Sequence, residues 1–244
     1  MGCQRHFPAH DPTPEETPVR PVPDGSLSLP ARLYLLAWDT GRREVTDPSH
    51  LPPLVRAGAL ADLARRGLLI DDEGITTPLD LDSRTGDAAL DGLLELVSES
   101  CPHSWRTWVT LRARHTLDAV REQLVAEGVL RAEKRRVLGV FPSVEHVLDG
   151  VARVRHLQRE ARWILDGPVP AADVSETDAA VVALGAAAGL GVLLPGRDRA
   201  GWERRVEDLA GRGGAATPAL GRIVRELRTA LTAARPAPSL TPGG

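Results

Sequence analysis

The side chains with the most chemistry to offer are arginines. Arg56 stands in LPPLVRAG, behind a proline pair. Leu54, Ala57, Ala61 and Ala64 mark a helical stripe running from there to Gly67, with Val55, Leu60 and Leu63 beside it. This spacing puts Arg56 in the first turn of a helix, where a cation opposes the dipole. The same turn offers free backbone N–H groups, so an arginine there suits an anion. Taken alone, a surface arginine paired with a nearby aspartate explains it more simply. Arg114 and Arg121 are seven residues apart, on one face of a second predicted helix, with Leu117 between them. Alone, they too read as a solvated face. Lys134, Arg135 and Arg136 directly precede Val137, Leu138, Val140 and Phe141. A basic turn beside apolar residues has the composition of an interfacial membrane contact, and equally that of a packed strand with a polar turn.

Catalytic constellations are missing from the sequence. It contains no G-x-S-x-G elbow, no H-E-x-x-H, no P-loop and no dinucleotide-binding glycine pattern. Asp71, Asp72 and Glu73 are adjacent carboxylates, but at a hairpin tip they read as solvated rather than as a cation site. Cys3, His6 and His10 lack a fourth partner for a metal. Two cysteines build no disulfide framework and fit a reducing, cytoplasmic home. No cofactor is expected, and an enzyme is the least favoured class.

Two stretches share one grammar and organise the chain. LARRGLLIDDEGIT is a helix ending at Gly67, then two short strands around an acidic turn. LVAEGVLRAEKRRVLGVF repeats the arrangement after Gly128. Around them, the pattern predicts a helix in LSLPARLYLLAWD, with Trp38 in the core, and a helix capped by Asp87. A long helix capped by Ser104 carries Trp105, Trp108, Leu111 and His115 inward and continues to Gly128. An arginine-rich helix spans Val144 to Asp166, and Asp173 or Ser175 caps a buried alanine-valine helix. Two more cover Gly201–Gly211 and Pro218–Ala233. The expected fold is mainly α, a single globular domain of about seven or eight helices with small β-hairpins. It spans 27–233, between disordered tails at 1–26 and 234–244.

Composition narrows the partners. The chain has 244 residues, 42% of them hydrophobic and 26% charged, enough for a sizeable core. A net charge of −3 argues against a dedicated duplex binder, so no nucleic acid is expected. Lys134 is the only lysine, and with abundant alanine and glycine this suggests a high-GC bacterial genome. The longest apolar run, Ala179 to Leu194, is too short to span a bilayer, and residues 1–28 contain no signal-peptide core.

The ordered blocks LSLPARLYLLAWD, LVRAGALADLARRGLL, TGDAALDGLLELV, WRTWV and LVAEGVL with its hairpin resemble the Golgi phosphoprotein 3 family. The resemblance covers Leu27 to about Ala233. It implies a non-enzymatic peripheral membrane protein on the cytosolic face of a membrane. Eukaryotic members bind phosphatidylinositol 4-phosphate through arginines and a tryptophan. They also use a hairpin for membrane contact and self-association, and engage the tails of membrane enzymes. On the matching positions, Arg56 takes the place of the family's arginine in G-L-R-G. Arg114 takes the first place of its R-x-x-R pair, while Leu117 occupies the second and Arg121 lies one turn on. The family's tryptophan has no counterpart near Asp47. By the same resemblance Arg135, Arg136, Val137, Leu138 and Phe141 form the membrane or self-association hairpin. The expected ligand is therefore phosphatidylinositol 4-phosphate or another anionic phospholipid, with protein tails and a homo-oligomer as further partners.

Two other classes compete. A cytosolic protein-binding scaffold needs no lipid. Helix-then-hairpin is also the winged-helix motif, but the helix after His115 carries Asp118, Glu122 and Glu127 against Arg121, which suits a phosphate backbone poorly.

Overall fold

The computed structural model describes residues 27–137, 141–194, 199–211 and 219–234. Among them, nine α-helices surround one continuous apolar cluster that draws on every part of the chain from Leu29 to Leu231. The mainly α expectation holds, with two two-stranded sheets and one three-stranded sheet, all antiparallel, among the described residues.

The central helix is α2 (Leu51–Arg65), which begins with Pro52 and Pro53 in its first turn. Every residue from Leu54 to Leu63 is buried. A helix apolar on all sides belongs in the middle of a bundle, and α2 packs against α1 (Leu29–Leu36) and, further along the chain, α4 (Trp105–Thr110), α5 (Ala113–Ala126) and α9 (Ala219–Ala233). Close approach to α1 depends on Gly58, where a Cβ would meet Leu33 at 2.5 Å and the Pro30 backbone at 3.2 Å.

The α1–α2 pair is antiparallel. Asp62, 1% exposed, accepts the Leu29 N–H that opens α1 at 3.1 Å, together with Arg65 at 2.7 Å and Arg66 at 3.1 Å. Those two arginines thus serve a buried carboxylate as well as the helix C-terminus. Burial alone would raise the Asp62 pKa, yet the hydrogen bonds from Arg66, Leu29 and Arg65 hold it below the usual range. At its other end, α1 runs into β1 (Trp38–Asp39), which pairs with β2 (Glu44–Val45). Trp38 is buried as expected, but on this strand rather than in a helix.

Both glycine-ended junctions form. Gly67 and Gly128 adopt φ of +72° and +71°. Each donates to the carbonyl three residues back, and the following residue donates five back. This is the double bond pattern that a left-handed glycine allows. After Gly67 come β3 (Leu69–Asp72) and β4 (Ile75–Pro78), joined at Glu73 and Gly74, both of positive φ. The short strand β5 (His103–Ser104) adds to β4. Asp71 faces inward, accepting from Gly74 N–H and from Arg222 of α9.

Three expectations are corrected. The long helix after Ser104 is two helices, α4 and α5, broken where Leu111 is extended and Arg112 left-handed. The break lets α4 pack on α9 while α5 packs on α3 (Ala88–Glu99). His115, which lies off the buried stripe, faces solvent and not the core. Thirdly, residues 144–148 are strand, not helix. After β6 (Leu130–Val137), β7 (Phe141–Leu148) pairs along its whole length, from Leu130↔Leu148 to Val137↔Phe141, and α6 (Val151–Asp166) starts only after Gly150.

The remaining elements are α7 (Glu176–Ala187), α8 (Arg199–Gly211) and a 3-10 turn at Ala171–Asp173. Asp87 caps α3, Ser104 caps α4 and Ser175 caps α7. Of the expected tails at 1–26 and 234–244, all residues but Ala234 lie outside the described residues, including Cys3, His6 and His10.

Candidate functional site

Arg56 is the sixth residue of α2, in its second turn rather than its first. It is not on the surface: its exposure is 1%. Nη2 donates to the carbonyl oxygen of Arg112 at 2.7 Å, while Nε and Nη1 are buried without a partner. No carboxylate is bonded to it among the described residues. Burial pushes its pKa down to about 10. The side chain remains a cation near neutral pH, held where its charge is poorly solvated.

The contact places Arg56 beneath the start of α5. Arg112 precedes this helix with φ +50° and offers no side-chain cap. In an unbroken helix its carbonyl would accept from residue 116. Here it accepts from His115 at 3.0 Å and from Arg56. Arg114, two residues on, is exposed and makes no ion pair among the described residues. The same junction therefore holds a buried guanidinium, an uncapped helix start and an exposed arginine, a combination suited to an oxyanion such as phosphate.

Arg121 is placed apart from them. Seven residues at about 1.5 Å each put it some 10 Å further along the helix. Its guanidinium stacks over the Tyr34 ring, 5.6 Å from the centroid, and pairs with Asp118 at 3.3 Å. Burial raises the Tyr34 pKa against the pull of Arg121. His146 of β7 stands in the same electrostatic neighbourhood: burial lowers its pKa, Arg121 lowers it further and Asp118 opposes them. Arg121 thus has a local role joining α5 to α1. Leu117, at the place of the family's second arginine, is 4% exposed and packs in the core.

Of the hairpin residues, Arg135, Arg136 and Val137 lie on β6 and Phe141 on β7, with Arg135 opposite Ser143 and Arg136 opposite Pro142. Leu138 lies outside the described residues. No group of three metal-ligating side chains and no helix long and apolar enough to cross a membrane occurs among the described residues.

The profile of the Golgi phosphoprotein 3 family matches residues 29–227, most of the chain and all of this arrangement. The chain belongs to the Golgi phosphoprotein 3 family. A search of curated proteins finds no match. The matched region includes Arg56 on the central helix and Arg114 at the start of α5. Sequence reasoning missed that Arg56 is buried, although α2 carries a signal. Between Leu54 and Leu63 its only charged residues are Arg56 and Asp62, inside a segment apolar on every face.

Proposed function

We propose that the α4–α5 junction binds the phosphate of an anionic phospholipid head group, and that this member of the Golgi phosphoprotein 3 family works as a peripheral protein on the cytosolic face of a membrane. The observation that carries this reading is Arg56. A buried cation with two unpartnered nitrogens is costly. An anion drawn to the start of α5 supplies the missing charge, with Arg114 as its exposed second ligand. The second hairpin, with Arg135 and Arg136 before its turn, adds electrostatic attraction to an acidic surface.

Arg56→Met separates binding from folding. Charge-assisted bonds to phosphate are worth about 1.5–3 kcal/mol, so head-group affinity in calorimetric titration or vesicle sedimentation is expected to fall by about ten- to a hundredfold. The variant no longer buries an unpaired charge, so it is expected to melt at or above the wild-type temperature. Binding equal to wild type would remove Arg56 from the site. For the hairpin, Arg135→Glu with Arg136→Glu is expected to release the protein from acidic vesicles without lowering its melting temperature. Undiminished sedimentation of that variant would make the hairpin a structural contact.

A further inference from the structure

The outer face of α6 is unlike the rest of the surface. Val154, Leu157, Gln158, Ala161, Ile164 and Leu165 turn inward. Outward, Arg155, Arg159 and Trp163 are spaced by four, forming one row about 12 Å long at about 1.5 Å per residue. Trp163 is 55% exposed. By contrast Trp38, Trp105 and Trp108 are buried, and Trp202 lies under the Arg228 guanidinium. Tryptophan is seldom left this open on a surface that meets only water.

The charges beside it are also unspent. Arg159 and Arg153 have no ion pair or hydrogen bond among the described residues, and Arg155 reaches only the Thr40 hydroxyl at 3.4 Å. Glu160 is held by His156 at 3.2 Å, and Asp166 at the helix end is already engaged. Between α6 and α1, a cleft opens with Leu35 and Leu157 in its floor and Arg153 on its wall.

We propose that this face of α6 rests on an anionic phospholipid surface, with Arg155 and Arg159 against lipid phosphates and Trp163 in the head-group layer. The proposal rests on the membrane reading above but not on the Arg56 site. Arginine beside an exposed indole is what a charged, half-apolar interface selects. Duplex nucleic acid would also attract the arginines, but it is disfavoured by the net charge of −3. The position of the row is compatible with the head-group site. Gln158 donates to the carbonyls of Leu36 and Trp38 at the C-terminal end of α1. Because α1 and α2 are antiparallel, that is the end at which α2 begins and Arg56 lies.

The test uses the full chain and vesicles of phosphatidylcholine with or without phosphatidylglycerol, free of phosphoinositide. Each arginine near such a surface contributes about fivefold in partitioning. Arg155→Glu with Arg159→Glu is therefore expected to lower sedimentation with acidic vesicles by at least about twentyfold at low salt. Trp163→Ser is expected to lower it several-fold and to abolish the vesicle-induced protection of indole fluorescence from acrylamide. Both variants should keep the wild-type melting temperature, since the residues are exposed. Sedimentation of both variants like wild type would overturn the proposal. So would a wild type that ignores acidic vesicles, or one that prefers duplex DNA to them. If Arg56→Met still sediments and the α6 variants do not, the head-group site fails and the α6 contact stands. If the α6 variants sediment and Arg56→Met does not, the reverse holds.

Discussion

The two helix-to-hairpin units begin alike and end differently. Gly67 and Gly128 close their helices with the same pair of hydrogen bonds. In each unit the residue after the glycine also accepts an N–H from just beyond the second strand: Leu68 from Leu79, and Val129 from Asp149, at 3.0 and 3.1 Å. The first hairpin has strands of four residues, gains a third strand in β5 and is tied to α9 through Asp71 and Arg222. The second has strands of eight residues and, among the described residues, no third strand. Local sequence thus builds the junction, and tertiary partners decide what the hairpin is fastened to. The same helix-glycine-strand device has produced a fastener in one place and a candidate contact arm in the other.

The largest expected effect lies in what anchors the helices leading into the units. α2 is fastened by buried Asp62, whereas none of the carboxylates of α5 is buried. Asp62→Ala leaves the Leu29 N–H and two guanidinium groups without their acceptor and is expected to cost about 2–3 kcal/mol in urea unfolding. The pH dependence follows from the same group. Its folded pKa lies below its unfolded value, so its contribution is fully present above the ordinary aspartate range. It is lost as pH falls through the folded pKa. The wild type should therefore lose more of its melting temperature on acidification than Asp62→Asn does. Parallel curves for the two would remove Asp62 as a source of acid sensitivity.

Next come the glycines. Valine tolerates positive φ poorly, so Gly67→Val and Gly128→Val should each cost about 1 kcal/mol or more. Similar penalties would sharpen the view that the junctions are locally equivalent, whereas a large penalty at one alone would break it. The smallest effect concerns the fastening of the first hairpin. The Arg222–Asp71 pair is part-buried at 3.0 Å. Arg222→Ala should cost no more than about 1 kcal/mol. It should nevertheless speed amide exchange in Leu69–Asp72 towards the faster rate expected of Leu130–Lys134. Unchanged exchange there would mean that β5, and not the ion pair, holds the hairpin.

Much of this architecture was legible because single residues enforce it. A left-handed helix end needs glycine, and Asp87, Ser104 and Ser175 each announce a cap. The strand at residues 144–148 was not legible. Val144, Val147, Leu148 and Val151 fit helical spacing, and only the long partner strand β6 decides against it. The break at Leu111 was equally silent. Val109, Ala113, Thr116 and Leu117 keep one helical phase across it, so nothing local marks the point where α4 and α5 part. Of the candidate site, sequence named Arg56 and Arg114 but not their environments. Burial of Arg56 is decided by α5 folding over it, and the separate role of Arg121 by the Tyr34 ring on α1. Both are long-range facts.

Helix α1 is eight residues long, and both of its ends also lean on distant parts of the chain. Asp62 receives its first N–H, and Gln158 donates to the carbonyls that leave it, from positions 33 and 122 residues away along the chain. A helix this short does not hold its shape alone in water. As the chain leaves the ribosome, α1 emerges first among the described elements, yet it must wait for more than a hundred further residues before Gln158 reaches the Leu36 carbonyl. The first of the described elements to be made is thus among the last to be completed, and α6 is the latch.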